Sequence, residues 1–161
     1  MARLESPIGQ IVNKETVEFR VREWKERLDD LYTQIISWLP KGYAADTNGR
    51  AIMNEDLMKR YKMPAQRLPV LRIVKDQEVI LSFEPKGLWV IGANGRVDVF
   101  RLVEPILSLM LVDMAEPYSG KTDWRLLIPG SSSDFRKINR TLLSDLLSRP
   151  NKFVASLIES Y

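Results

Sequence analysis

The sequence predicts a single-domain α+β fold, an antiparallel sheet of about five or six strands in a meander covered by a long N-terminal amphipathic helix and by C-terminal helices. Three observations carry that expectation. Apolar residues between Lys14 and Leu39 recur at alternating steps of four and three, a helical period that no strand can use. From Val70 to Ile128 the texture changes to short apolar or alternating runs separated by turn residues, as in a meander. After the Pro129-Gly130 break, helical spacing returns. Helix, then strands, then helices is the order of an α+β protein, not of β-α units alternating over a parallel sheet.

The first helix takes its stripe from Val17, Val21, Trp24, Leu28, Leu31, Ile35 and Trp38. Its other faces carry Glu18, Arg22, Glu23, Lys25, Glu26, Arg27, Asp29 and Asp30, charges that read as a wet face, with Glu18–Arg22 and Glu23–Arg27 at ion-pair spacing. Pro40 and Gly42 end the helix, because proline cannot continue the hydrogen-bond ladder and glycine relaxes the backbone after it. The polar stretch Gly42–Arg50 reads as a loop. Asn54 caps a short helix over Glu55–Tyr61, whose acids come first and bases last, as the helix dipole favours.

Six segments then read as strands: Val70–Val74, Val79–Phe83, Leu88–Ile91, Val97–Val103, Ile106–Asp113 and Trp124–Ile128. Asn94-Gly95 is the strongest hairpin signal, since both residues tolerate positive φ. Lys75–Glu78 and Glu84–Gly87 read as further turns. Pro105 leaves Ile106–Asp113 open to a helical reading as well. Ser131–Asp134 offer caps for a second amphipathic helix with Phe135, Ile138, Leu142, Leu143, Leu146 and Leu147 on its apolar side. Pro150 interrupts it, and Asn151 caps a terminal helix containing Phe153, Val154, Leu157 and Ile158. The expected domain is 1–161, with 1–13 a poorly ordered or extended N-terminal arm.

With 45% apolar residues in 161, the chain can bury a core without staples. No apolar run reaches the roughly 18 residues of a membrane span and no secretory pattern opens the chain, so the expected place is the cytoplasm. There is no cysteine and no histidine. That removes disulfides, thiolate nucleophiles, the usual zinc sites, histidine-assisted triads and histidine acid–base steps. No cofactor is expected, and the balance leans away from an enzyme. The net charge of +3 is too mild to imply nucleic acid by itself.

Several groupings bear on function. Asp76, Glu84 and Lys86 resemble the acid and Glu-x-Lys arrangement with which nucleases hold magnesium, although Pro85 disturbs the strand that would present it. Lys59, Arg60, Lys62, Arg67 and Arg72 form one basic group that would suit a nucleic-acid backbone. Ser132, Arg136, Lys137 and Arg140 form another, at a helix start where an anion would be welcome, though Asp134 competes as a cap. Gly92 to Gly95 lacks the following helix that a phosphate loop needs, and reads as a turn. The seam Trp24, Leu28, Leu31, Ile35 and Trp38 would either pack on the protein's own sheet or pair two copies in a homodimer. Trp89 and Trp124, each on an expected strand, would line either a core or a ligand pocket. The expected function is a small non-catalytic interaction protein, an accessory, immunity or regulatory subunit that binds another protein or itself. The alternative is a nucleic-acid-binding or magnesium-dependent phosphodiester-handling protein.

Overall fold

The computed structural model describes residues 4–5, 11–128 and 135–154. Strands β1 (Leu4–Glu5) and β2 (Ile11–Val12) form a short antiparallel pair. Helix α1 follows over Lys14–Ser37. Its start is fixed by a reciprocal cap: the Asn13 side chain accepts from the Thr16 amide at 2.9 Å, and the Thr16 hydroxyl accepts from the Asn13 amide at 2.8 Å. Strand β3 (Tyr43–Met53), helix α2 (Asp56–Arg60), and strands β4 (Gln66–Lys75), β5 (Glu78–Gly87), β6 (Arg96–Arg101), β7 (Leu107–Asp113), β8 (Trp124–Leu127) and β9 (Phe135–Lys137) come next. Helix α3 (Arg140–Ser148) and a helical turn at 151–154 end the described chain.

The seven strands β3 to β9 pair antiparallel in strict chain order, a pure meander. The expected α+β class holds, and the sheet has seven strands in place of five or six. Three differences produce that count, each with a physical reason. Residues 43–53, read as a loop, form edge strand β3. Its polar composition is what an edge tolerates, and its register slips between Asp46 and Gly49. The Asn48 amide bonds the Asp46 carboxylate, while Arg50 folds back onto the carbonyls of Thr47 and Gly49. Segment 88–91 is not a strand: β5 runs on through Pro85 to Gly87, accommodating the proline at a register irregularity. The turn therefore falls at Ile91-Gly92, inside a Val90–Ala93 bridge, and not at Asn94-Gly95. Finally, Phe135–Lys137 pairs with β8 as β9, and α3 begins only at Arg140, capped by the Asn139 side chain, which accepts from the Leu142 amide. The expected caps at Ser131–Asp134 lie outside the described residues. The segment around 106–113 is strand β7.

Registered rows on one sheet face build the core. Leu71, Phe83, Val99 and Leu109 stand side by side on β4 to β7, and Val97, Leu111 and Leu126 form the next row. All are buried, and they join one cluster with Val17, Val21, Trp24, Leu28, Leu31 and Ile35 of α1 and with Leu142, Leu143, Leu146 and Leu147 of α3. The Tyr32 hydroxyl donates to the Pro69 carbonyl at 2.9 Å, and the Trp24 and Trp124 rings lie 6.0 Å apart. Helix α1 therefore lies across the sheet from β4 to β8. The Arg101 guanidinium, on the same face, donates to the carbonyls of Leu146 and Leu147 and so satisfies the end of α3. Burial lowers its pKa. Among the described residues no helix is long and apolar enough to cross a membrane.

Candidate functional site

Two loops rise beside the N-terminal half of α1. The β5–β6 loop is held at its start by Glu55, whose carboxylate accepts from the amides of Leu88 and Trp89 at 3.0 and 3.1 Å. Its far end is held by the Asn94 amide donating to the Asp113 carbonyl at 2.7 Å and by the Asp113 amide donating to the Gly95 carbonyl at 3.1 Å. Between these anchors the chain reverses with Ile91 wholly in solvent, 107% exposed relative to a reference chain. Gly95 has φ +133° and presses on the face of Trp24, so that no side chain fits there.

Asp113 also sets the β7–β8 loop. It is fully buried, and its Oδ1 accepts from the amides of Ala115 and Asp123 at 3.0 and 2.8 Å, drawing the loop's two ends together. Its Oδ2 accepts from Arg27 at 2.8 Å, and the same Arg27 nitrogen donates to the Asn94 carbonyl at 2.6 Å. One buried ion pair thus ties the helix to both loops. Glu23 stands 3.4 Å from Arg27 Nε and 3.5 Å from Arg20 Nη1, a carboxylate shared by two cations. Arg27 is buried, not on a wet face, despite its ion-pair spacing from Glu23.

The loops and the helix enclose an open cleft of about 540 Å³, lined chiefly by apolar groups including Val17, Trp89, Ile91, Met114 and Pro117. A smaller, more polar lobe of about 290 Å³ adjoins it and shares Asn94, Glu116 and Tyr118. Tyr118, at φ +64°, lays its ring on Phe19 with centroids 5.5 Å apart and planes 9° apart. The Arg20 guanidinium sits 5.6 Å from the same ring. Arg20 lines the cleft yet is only 7% exposed. Burial lowers its pKa, with the like charge of Arg27 acting in the same direction and Glu23 opposing. Tyr118 is pushed up by burial and held back by Arg20.

The residues singled out from sequence do not gather here, apart from one tryptophan. Trp89 lines the cleft, whereas Trp124 is buried against Trp24. Trp24, Leu28, Leu31 and Ile35 are wholly internal and Trp38 is half-buried, so the seam packs on its own sheet and offers no free stripe to a second copy. Asp76 sits in the β4–β5 turn and Glu84 six residues into β5 from Glu78, about 20 Å along the strand. Lys86 is exposed near the strand's other end. These three form no cluster, and among the described residues no group of three or more acids could hold a metal ion. Lys59, Arg60 and Lys62 lie on or just after α2, with Arg67 and Arg72 on β4. Arg136 and Lys137 lie on β9, and Arg140 opens α3. Strands β4 and β9 are five steps apart in the sheet, about 24 Å, so the two basic groups remain separate. Ser132 lies outside the described residues.

Arg20 was not singled out from the sequence and Arg27 was read on the wet face, although a signal existed: Arg20 lies three residues beyond Val17 and Arg27 three beyond Trp24, both on the buried side of an otherwise apolar stripe. Tyr118 carried no comparable signal, because it reaches the cleft only through the loop's fold. No protein-family model matches this chain, and neither any curated protein nor any solved structure matches it.

Proposed function

We propose that this chain is a non-catalytic protein-interaction protein and that a partner docks in the cleft between α1 and the β5–β6 and β7–β8 loops. The observation that carries the reading is the clustering of exposed apolar side chains. Phe19, Ile91, Met114 and Tyr118 are all large, exposed and placed around this one cleft and its adjoining lobe. Exposed apolar groups scattered singly are ordinary, whereas a contiguous patch rimmed by polar residues marks a surface that another molecule covers. An aromatic pair beside a pocket has the composition of an interface anchor. The loops are braced by buried and partly buried hydrogen bonds, so the surface is formed in advance and little ordering is lost on docking.

The placement of the two basic groups on strands five steps apart supports a protein partner over a phosphate backbone. The test is capture of the partner from source extract on immobilised protein, followed by direct binding with the purified partner. Wild type retains a stoichiometric partner, and folded Ile91→Asp and Met114→Asp variants lose it. Retention by both variants would refute the placement, and salt-sensitive binding of DNA or RNA in their stead would restore the nucleic-acid reading.

A further inference from the structure

We infer that the docking segment presents a carboxylate to Arg20, so that the partner's recognition element is a short apolar stretch carrying one acidic residue. The inference rests on the cleft being the docking site. A guanidinium has five N–H donors in a rigid fork, and a buried one requires partners for them. Arg20 has few: one hydrogen bond to Glu23 at 3.5 Å, the far limit of such a bond, and the face of Tyr118.

Glu23 is not Arg20's alone, because the same Oε1 stands 3.5 Å from Arg20 and 3.4 Å from Arg27. Asp113 is saturated by Arg27 and two amides. Of the remaining charged groups on the cleft, Glu116 is exposed at the rim. Two buried cations are thus matched by one buried and one shared carboxylate; the enclosed nitrogens left without a hydrogen bond are Arg27 Nε and Nη2, whereas Arg20, whose one carboxylate is the shared Glu23, is the cation that lines the cleft.

A neutral apolar occupant would strip water from Arg20 and give nothing in return. An acidic side chain would replace that water with a charge-assisted, two-pronged bond in a setting of low dielectric. The apolar walls around Val17, Trp89 and Met114 would take the neighbouring residues of the same segment. The chemistry selected is therefore a carboxylate flanked by apolar side chains, presented by a polypeptide long enough to reach the adjoining lobe.

The experiment is selection from a random heptapeptide library displayed on phage, panned against the folded full chain, Arg20→Met and Ile91→Asp. Wild type is expected to enrich peptides that set one Asp or Glu beside apolar residues, and Arg20→Met to enrich apolar peptides without that acid. A synthesised wild-type-selected peptide should bind Arg20→Met about 10- to 100-fold more weakly. Changing its acid to the amide should cost the same factor against wild type and nothing against Arg20→Met. Enrichment without an acidic preference, but abolished by Ile91→Asp, overturns the role of Arg20 and leaves the docking cleft standing. Enrichment indifferent to Ile91→Asp, or no enrichment at all, overturns the docking site and this inference with it. If circular dichroism shows Arg20→Met unfolded, Arg20→Lys replaces it: the charge stays but the fork is lost, and an undiminished affinity for the acidic peptide refutes two-pronged recognition.

Discussion

Replacing Asp113 by alanine tests whether one buried carboxylate holds the helix and both loops in place. In the native fold its two oxygens receive three hydrogen bonds, from Arg27 and from the amides of Ala115 and Asp123. The substitution leaves the Arg27 cation buried with Glu23, the Asn94 carbonyl and the face of Trp24 beside it but no carboxylate of its own. Removing one member of a buried pair costs about 3–5 kcal/mol, chiefly because the other charge stays desolvated. A buried amide left without its acceptor costs about 1–3 kcal/mol, though the β7–β8 loop can admit water and recover part of that. The expected loss is about 4 kcal/mol, or about 8–16 °C in melting temperature for a chain of this size. Urea denaturation followed by tryptophan fluorescence reads it directly, since Trp24 and Trp124 pack together beside the pair. Asp113→Asn keeps an acceptor for the amides and isolates the charge, and Arg27→Met added to it should restore stability because the orphaned cation is gone. A loss under about 1 kcal/mol for Asp113→Ala, or a double variant weaker than Asp113→Asn alone, would refute the reasoning.

Other perturbations separate the same forces. Leu28→Glu buries a carboxylate in the apolar core and should abolish the folded circular dichroism spectrum; a folded protein of altered oligomeric state would contradict the internal placement of the stripe. Gly95→Ala should cost more than about 2 kcal/mol by denaturant titration, because its side chain collides with Trp24. Gly92→Ala, in open space at φ +82°, should cost only about 1 kcal/mol of backbone strain, and equal losses at the two sites would remove the steric explanation. Burial, with the carboxylates of Asp29 and Glu84 adding to it, raises the pKa of Tyr32 above the usual 10.0. The native state therefore holds that proton after the unfolded chain has released it, so the contribution is full below pH 10 and declines above it. Tyr32→Phe should lose about 1 kcal/mol at pH 7, the hydrogen bond to Pro69, and should show a shallower decline above pH 10; parallel pH profiles would refute this.

The parts of the fold that were legible are those where one side chain period dominates. Helix α1 announced itself because its stripe repeats over about six turns, whereas its Asn13 cap was seen only in the structure. Strands β6 and β8 announced themselves through apolar residues bounded by turn chemistry, whereas β7 stayed open to a helical reading because Pro105 suits a helix start and the run is too short for its period to decide. Strand β3 was illegible because an edge strand needs little apolar pattern, and Asp46 to Gly49 look like a turn while forming an irregular ladder. Pro85 misled in the opposite direction, suggesting a break where the sheet absorbs it at a register irregularity. The cleft was the least legible part. It depends on Arg20, Trp89 and Tyr118, which lie far apart in the chain and meet only because Asp113 and Asn94 bring two loops to one helix. Trp89 was noticed as an aromatic, but nothing local marked it as standing in a loop at a cavity wall.

The meander joins each strand to its successor, yet the bond from Arg27 to Asp113 spans 86 positions of chain. At about 5–20 residues per second on a ribosome, that interval lasts roughly 4–17 s. Throughout it the nascent α1 has emerged with Trp24, Leu28 and Ile35 uncovered, because the strands that will cover them are still unmade. The order of synthesis thus leaves the helix's greasy side bare for that interval, and moving α1 by circular permutation to follow the last strand would shorten it.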